Sequence, residues 1–579
     1  MVSRQPTIVV IDPPAGASAG TDEPAADQAL AAFDRLYIRH PRRWLIAMLG
    51  AYVVAALLFA YLTPAWQAPD EPAHYNYVAH IAQTGTLPVL RSGDYDHALL
   101  NRLLNSRFAP PATTEALRYE AHQPPLYYLL ATPVFWLSGG SLRALRLFGI
   151  LIGAGGIVLL YLCLELVFPG KPLVVVGGTA FSALLPMHVA VSAAVNNDGM
   201  AELLIMAAML ALLGWLRGHF YDEPAGEGQP LKARRGRRRL LLLGVLLGLG
   251  MLTKVYAYVL APIAVLAVAG VAGLRSPTHA AGGARQVWRN GRRGAQQALW
   301  VAFPALIMAL PWWVRNWSLY GAWDVLGLAQ HDRIVAGQPR TAEWIAHNGW
   351  LSYSERAFSF TFKSFWGVFG WMGVFLDDRI YTALLLFSGV IFLGLLWATV
   401  RFISGPPDTD MDSFQIFVLV LFGVMLLAVT ASYAWYNVQF VQHQGRYFFW
   451  GLLPISAIVA LGWREVLQPL QGVITGMLAL VLTAGIAVTG SAAGTLDKWS
   501  LLSTGLITLM LLLQPLLLAS TSRYMMGWLP ASLRGWLQRP RVCALLGGMR
   551  AFVWATPFLL LIVLNIAVPI VYIVPQLGR

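Results

Sequence analysis

Apolar runs of roughly 17–25 residues recur along almost the whole chain, each long enough to cross a hydrocarbon core. Lipid offers no water to backbone polar groups, so such runs satisfy their own hydrogen bonds as helices. The expected fold is an all-α polytopic membrane protein. Composition agrees: 57% of the 579 residues are hydrophobic and only 12% are charged. The 22 Trp and 21 Tyr suit membrane interfaces.

A net charge of +13 raises the question of nucleic acid. The arginines cluster in short loops between apolar runs, which is the mark of cytoplasmic loops, so no nucleic-acid partner is expected. Cys163 and Cys543 lie in or beside apolar segments and predict neither a disulfide framework nor a cysteine metal site. No cleavable signal peptide is apparent. Residues 1–36 read as a polar, disordered cytoplasmic tail, and 37–579 as one transmembrane module without a soluble C-terminal domain.

Topology follows from charge. The segment RLYIRHPRRW puts the N-terminus in the cytoplasm, so a first span over about Leu45–Leu62 delivers Asp70 to the outer face of the cell membrane. The apolar run after Gln123 is short and broken by Pro124, Pro125 and Pro133. Were it to cross, LKARRGRRRL would lie outside, so it reads as an interfacial helix within a first outer loop over 63–145. Continuing this way yields about thirteen spans, a second outer loop over 315–378, and a basic interfacial helix within TSRYMMGWLPASLRGWLQRPR.

This arrangement gathers the unusual polar residues on one face: Asp70, Glu71, His74, Glu120, His122, Arg143, Arg146, Asn196, Asn197, Asp198, Lys254, Arg315, His443 and Arg446. Carboxylates among cations at an outer rim suggest an anionic substrate reached from lipid. Each residue also has a plainer reading. Asp70-Glu71-Pro72 is a helix start in which either acid caps the helix through AHYNYVAHIAQTG, ended by Gly85. NNDG is a turn followed by a cap. Lys254 and Arg315 are span-end cations that snorkel.

The ordered set PDEPAHY, EAHQPPLYY, P-x-H…NNDG, LTKVYA, PWWVRNWSLYG, SFWGVFGW and GRYFF resembles the GT-C superfamily of membrane glycosyltransferases. Nearest in pattern are the protein O-mannosyltransferases, the aminoarabinose transferases and related uncharacterised bacterial membrane proteins. The resemblance implies a GT-C-type bundle. It also implies transfer of a sugar from a polyprenyl-phosphate donor to a glycan, lipid or protein acceptor on the extracytoplasmic face. By it, Asp70 matches the acid of the first outer loop, the usual general base, and Glu71 the second acid of the mannosyltransferase pattern. Asp198 falls where the oligosaccharyltransferase branch places an acid. His122 and Gln123 stand directly before the di-proline, where aminoarabinose transferases carry an acid and a lysine.

The chemistry suits these residue types. An attacking hydroxyl needs a base, and a phosphate leaving group needs fixed positive charge. Lys254, Arg315, Arg446 and His122 are candidates for the phosphate, and Glu120, Asn197 and Asp198 for donor binding. One base and no nucleophile predicts inversion at the anomeric carbon. A divalent metal on Asp70, Glu71, Asp198 or a histidine is chemically allowed. The cations do the same job, so no cofactor is expected. The alternative reading is a transporter or flippase of a lipid-linked sugar or other anionic lipid, though transporters place their charges near the midplane of repeated halves. A non-enzymatic assembly scaffold is a third.

Overall fold

A computed structural model describes residues 40–109, 113–221, 230–274, 284–335, 337–404, 411–519 and 530–578. The tail over 1–36 and the start of the basic connection, 521–529, lie outside the described residues; the rest of that connection holds a short helix, Ala531–Leu537.

The first half of the bundle runs through α1 (Pro41–Leu62), α2 (Glu71–Thr84), α3 (Leu126–Leu137), α4 (Leu142–Val167), α5 (Pro172–Leu184), α6 (Pro186–Ser192) and α7 (Asp198–Tyr221). It continues with α8 (Pro230–Met251), α9 (Tyr256–Leu274) and α10 (Ala284–Tyr320). The second half holds α11 (Leu328–Ile334), α12 (Trp350–Trp366), α13 (Asp378–Ser404), α14 (Ser413–Gln439) and α15 (Leu452–Val466). After these come α16 (Pro469–Ala493), α17 (Lys498–Leu512) and α18 (Pro540–Ala567).

Among the described residues, eleven helices are long and apolar enough to cross a membrane. The pair α5–α6 adds a twelfth if counted as one span, bent by 60° where Pro186 forces Leu185 into extended backbone. The thirteenth expected span corresponds to α8, whose apolar part is shortened by the arginines of its first turns. The chain is an all-α polytopic membrane protein. Its only sheet among the described residues is a two-residue antiparallel hairpin, Val368–Phe369 with Val374–Phe375. The proline-broken run became α3, only 12 residues long, as its length required.

The bundle's two ends differ. At one, Arg107 donates to the Gly578 carbonyl (2.9 Å) and Trp371 to the Trp66 carbonyl (2.9 Å), so both long loops and the chain's last residues meet there. At the other, Gln415 donates to the Val167 carbonyl (2.8 Å), beside the helix ends that carry the arginine clusters. Between them the core is packed with large side chains such as Tyr52, Phe181, Phe422 and Trp450, all fully buried. Both cysteines are free thiols.

Candidate active site at one end of the bundle

Asp70 closes the loop after α1 and starts α2. Its backbone carbonyl accepts from the Ala73 and His74 amides, both at 3.1 Å. Its φ is +64°, a left-handed conformation that costs a non-glycine residue about 1–3 kcal/mol. This geometry corrects the capping expectation: neither acid caps α2 with its side chain. The turn instead aims the Asp70 carboxylate across the bundle, where it accepts from the Tyr119 hydroxyl (2.9 Å) and from Arg446 (2.6 Å).

Arg446 comes from the far half of the chain, on the turn between α14 and α15. Gly445 makes this placement feasible: a Cβ there would lie 2.2 Å from the Phe365 amide nitrogen. Its own amide donates to the Ser364 hydroxyl (2.7 Å), pinning the turn to α12. Burial opposes ionisation of Asp70, but Arg446, His74 and the Tyr119 hydroxyl outweigh it and hold the carboxyl below its usual range. Burial and the Asp70 charge push the Tyr119 phenol well above its ordinary value, so it stays protonated as a donor.

A second pair faces the first. Asp198, at the start of α7, forms an ion pair with Lys254, from the turn joining α8 to α9. Asp198 is also within electrostatic reach of Arg446 and His74. Asn197 is fully buried and ties the two loops together, donating to the Thr253 carbonyl (3.0 Å) and to Gln123 (3.2 Å). Its amide nitrogen thus positions this pair, while its side-chain oxygen is buried without a hydrogen-bond partner.

Histidines line the remaining wall. His74 is hydrogen-bonded to Tyr128 (2.8 Å), and burial lowers its pKa. His122 donates through Nδ1 to the Tyr119 carbonyl (3.0 Å), and its ring lies 4.4 Å from that of His331. Burial, with the charges of His74 and Lys254 nearby, pushes His122 down to about 4, and burial beside His122 pushes His331 down to about 3. Glu120 points a buried carboxylate oxygen with no hydrogen-bond partner into this region.

Two expected site residues are placed differently. Glu71 is completely buried, and Arg146 grips both its oxygens, at 2.8 and 2.6 Å. The amides of Trp66 and Val195 donate to it as well, both at 3.2 Å. Arg146 in turn donates to the carbonyls of Ala60, Thr63 and Pro64. Glu71 therefore knots α1, α2, α4 and the turn before α7 together and has no lone pair left for a substrate. Arg315 donates to the Pro88 carbonyl (2.5 Å) and stacks over Trp312 (4.7 Å), bracing the first long loop against α10. Tyr119 and His331 were not among the expected residues. Tyr119 lies inside RYEAHQPP with nothing but its neighbours to mark it, and His331 sits in a loop helix without a motif.

Asp70 and Asp198 are each committed to a cation, and among the described residues no three His, Cys, Asp or Glu are grouped as ligands. An apolar cleft opens beside Arg446, lined by Phe59, Met187, Val191, Phe369 and Ile573.

The family model described as predicted membrane protein (DUF2142) matches residues 95–459. No curated protein matches the chain. Among solved structures it is similar to the following three. ArnT from Cupriavidus metallidurans in the apo state is 14% identical over 90% of this chain and 77% of that one, with a TM-score of 0.44. The Archaeoglobus fulgidus oligosaccharyltransferase tethered with an acceptor peptide is 14% identical over 87% of this chain, with a TM-score of 0.39. This chain covers only 55% of that protein's length. The Saccharomyces cerevisiae protein O-mannosyltransferase Pmt1-Pmt2 complex bound to the sugar donor is 17% identical over 50% of this chain and 36% of that one, with a TM-score of 0.31.

Proposed function

We propose that this chain, which belongs to the DUF2142 family of predicted membrane proteins, transfers a sugar from a polyprenyl-phosphate donor to an acceptor hydroxyl at the extracytoplasmic face of the cell membrane. The observation that carries this reading is the pairing of Asp70 with Arg446, within electrostatic reach of Asp198 and Lys254, with Arg446 lining an apolar cleft. The motif resemblance to GT-C enzymes supports it.

In this reading the donor's phosphate enters between Arg446 and Lys254 while the first part of its hydrocarbon tail follows the cleft. The phosphate competes with Asp70 for Arg446 and so releases the carboxylate. The acceptor oxygen then attacks the anomeric carbon as its proton passes to Asp70. The bond from that carbon to the phosphate oxygen breaks, and polyprenyl phosphate leaves with the electron pair, its charge held by the two cations. Attack from the face opposite the phosphate inverts the anomeric centre. Tyr119 orients Asp70, Asn197 holds the Asp198–Lys254 pair in place, and Glu120 and the neutral histidines face the sugar's hydroxyls.

The test is reconstitution into proteoliposomes with a panel of polyprenyl-phosphate sugars, comparing wild type with Asp70→Asn. Loss of a general base lowers transfer by about 10²–10⁴-fold. Equal turnover removes Asp70 from the mechanism, a retained anomeric configuration removes single-step inversion, and donor flux without transfer favours a flippase.

A further inference from the structure

The arginines at the opposite end of the bundle take no part in this site. α8 and α10 start there and run side by side in the same direction. A Cβ on Gly244 would lie 2.4 Å from the Val301 carbonyl oxygen, and one on Gly248 2.8 Å from Met308 Cβ. Glycine thus lets the two backbones touch, and that register sets Arg234, Arg235, Arg237, Arg238 and Arg239 level with Arg289, Arg292 and Arg293. All eight are exposed.

No carboxylate among the described residues pairs with any of them. Arg239 donates to the Gly214 carbonyl (2.7 Å). Arg237 lies over the Trp300 ring at 4.7 Å and Arg292 over Trp288 at 5.7 Å, cation–π contacts that leave the positive charge unneutralised. Like charges this dense repel one another unless an anion sits among them.

Depth says which anion. The apolar part of α8, Leu240–Met251, rises only about 18 Å at 1.5 Å per residue, well short of a hydrocarbon core of about 30 Å. On α10 the lipid-facing stripe of Leu299 (61% exposed), Phe303 (65%) and Ile307 (50%) begins beside Trp300, the ring partner of Arg237. The guanidiniums are therefore held where acyl chains meet headgroups. Arginine binds phosphate there through paired N–H groups.

We propose that the first turns of α8 and α10 form a binding site for an anionic phospholipid, its phosphate among these arginines and its acyl chains on Leu299 and Phe303. The site is independent of the glycosyl-transfer reading and survives its failure.

Native mass spectrometry of the full, delipidated chain in detergent tests it, with phosphatidylglycerol and phosphatidylcholine of identical acyl chains as probes. Wild type should favour phosphatidylglycerol by about tenfold or more, given the strength of arginine–anionic lipid attraction. R237Q/R238Q/R292Q/R293Q should bind the two lipids equally, whereas R333Q/R356Q, which removes charge from the other end, should keep the preference. Should the quadruple variant misfold, R237Q/R238Q and R292Q/R293Q are each expected to lose part of it. Equal binding by wild type, or full preference in the arginine variants, overturns the proposal. So does displacement of the lipid by inorganic phosphate alone, which would make this a free-anion site.

Discussion

Asp70 and Glu71 are neighbours in sequence, each paired with an arginine, and they stand in opposite situations. Glu71 is wholly buried with both oxygens consumed by Arg146 and two backbone amides. Asp70 keeps about a quarter of its side chain exposed (23%) and shares its partner, Arg446, with the electrostatic field of Asp198. The left-handed turn at Asp70 separates them, sending one carboxylate into the seam between helices and the other toward the cleft. An ion pair closed on all sides is architecture. One open on a side that a phosphate can enter is available for chemistry.

The hardest test of that contrast is Glu71→Gln. It leaves Arg146 buried without its counter-charge, and breaking a buried pair costs about 3–5 kcal/mol. Thermal unfolding in detergent should show a large loss of stability, while Asp70→Asn unfolds close to wild type. If Glu71→Gln is as stable as wild type yet inactive, Glu71 belongs to the chemistry and the contrast fails. Replacing both partners of the buried pair with apolar residues should recover much of the stability, since the penalty comes from the orphaned charge.

Lys254→Met sharpens the comparison at intermediate size. It removes one of the two cations assigned to the donor phosphate and leaves Asp198 with Arg446 as its remaining cationic neighbour. Transfer should fall about 10–100-fold, the worth of one charge-assisted contact of about 1.5–3 kcal/mol. Steady-state kinetics against donor concentration checks it. Unchanged donor dependence would take Lys254 away from the phosphate.

Much of the architecture was legible because it depends on length and composition. Spans announce themselves by apolar runs, α3 by its brevity and prolines, and the bend at Leu185 by the proline after it. The location of Asp70, Asp198, Lys254 and Arg446 at one end followed from counting crossings. Their pairing did not, since Asp70 and Arg446 are 376 positions apart and nothing local records the contact. The acid–proline start suggested a cap, yet the positive φ at Asp70 carries its side chain away from the helix amides. Arg315 shows the same limit from the other side. A cation at a span end looks alike whether it meets a phosphate or, as here, the Pro88 carbonyl. Burial decided Glu71 and Asn197, and burial is a property of the packed bundle.

The smallest effect concerns the histidine wall, and it separates the open site from the closed pair by pH. His122 is neutral in the folded protein down to about pH 4, whereas in the unfolded chain it takes up a proton near its ordinary value of 6.5. Between those values the unfolded state binds more protons, so acid destabilises the fold, by at most about 1.4 kcal/mol per pH unit for each such histidine. His331, held down to about 3, acts in the same direction. Stability should therefore be level above pH 6.5 and fall as the pH drops toward 4. His122→Asn, which can still donate to the Tyr119 carbonyl, should remove one histidine's share of that slope, with His74, His331 and His443 supplying the rest, and leave the plateau in place. The ionisation of Asp70 lies lower and does not enter this window. Denaturation series at pH 7, 6 and 5 for the two proteins measure the difference. An unchanged slope in His122→Asn would mean that water reaches this wall freely, and that the site is open through the histidines as well as through the cleft beside Arg446.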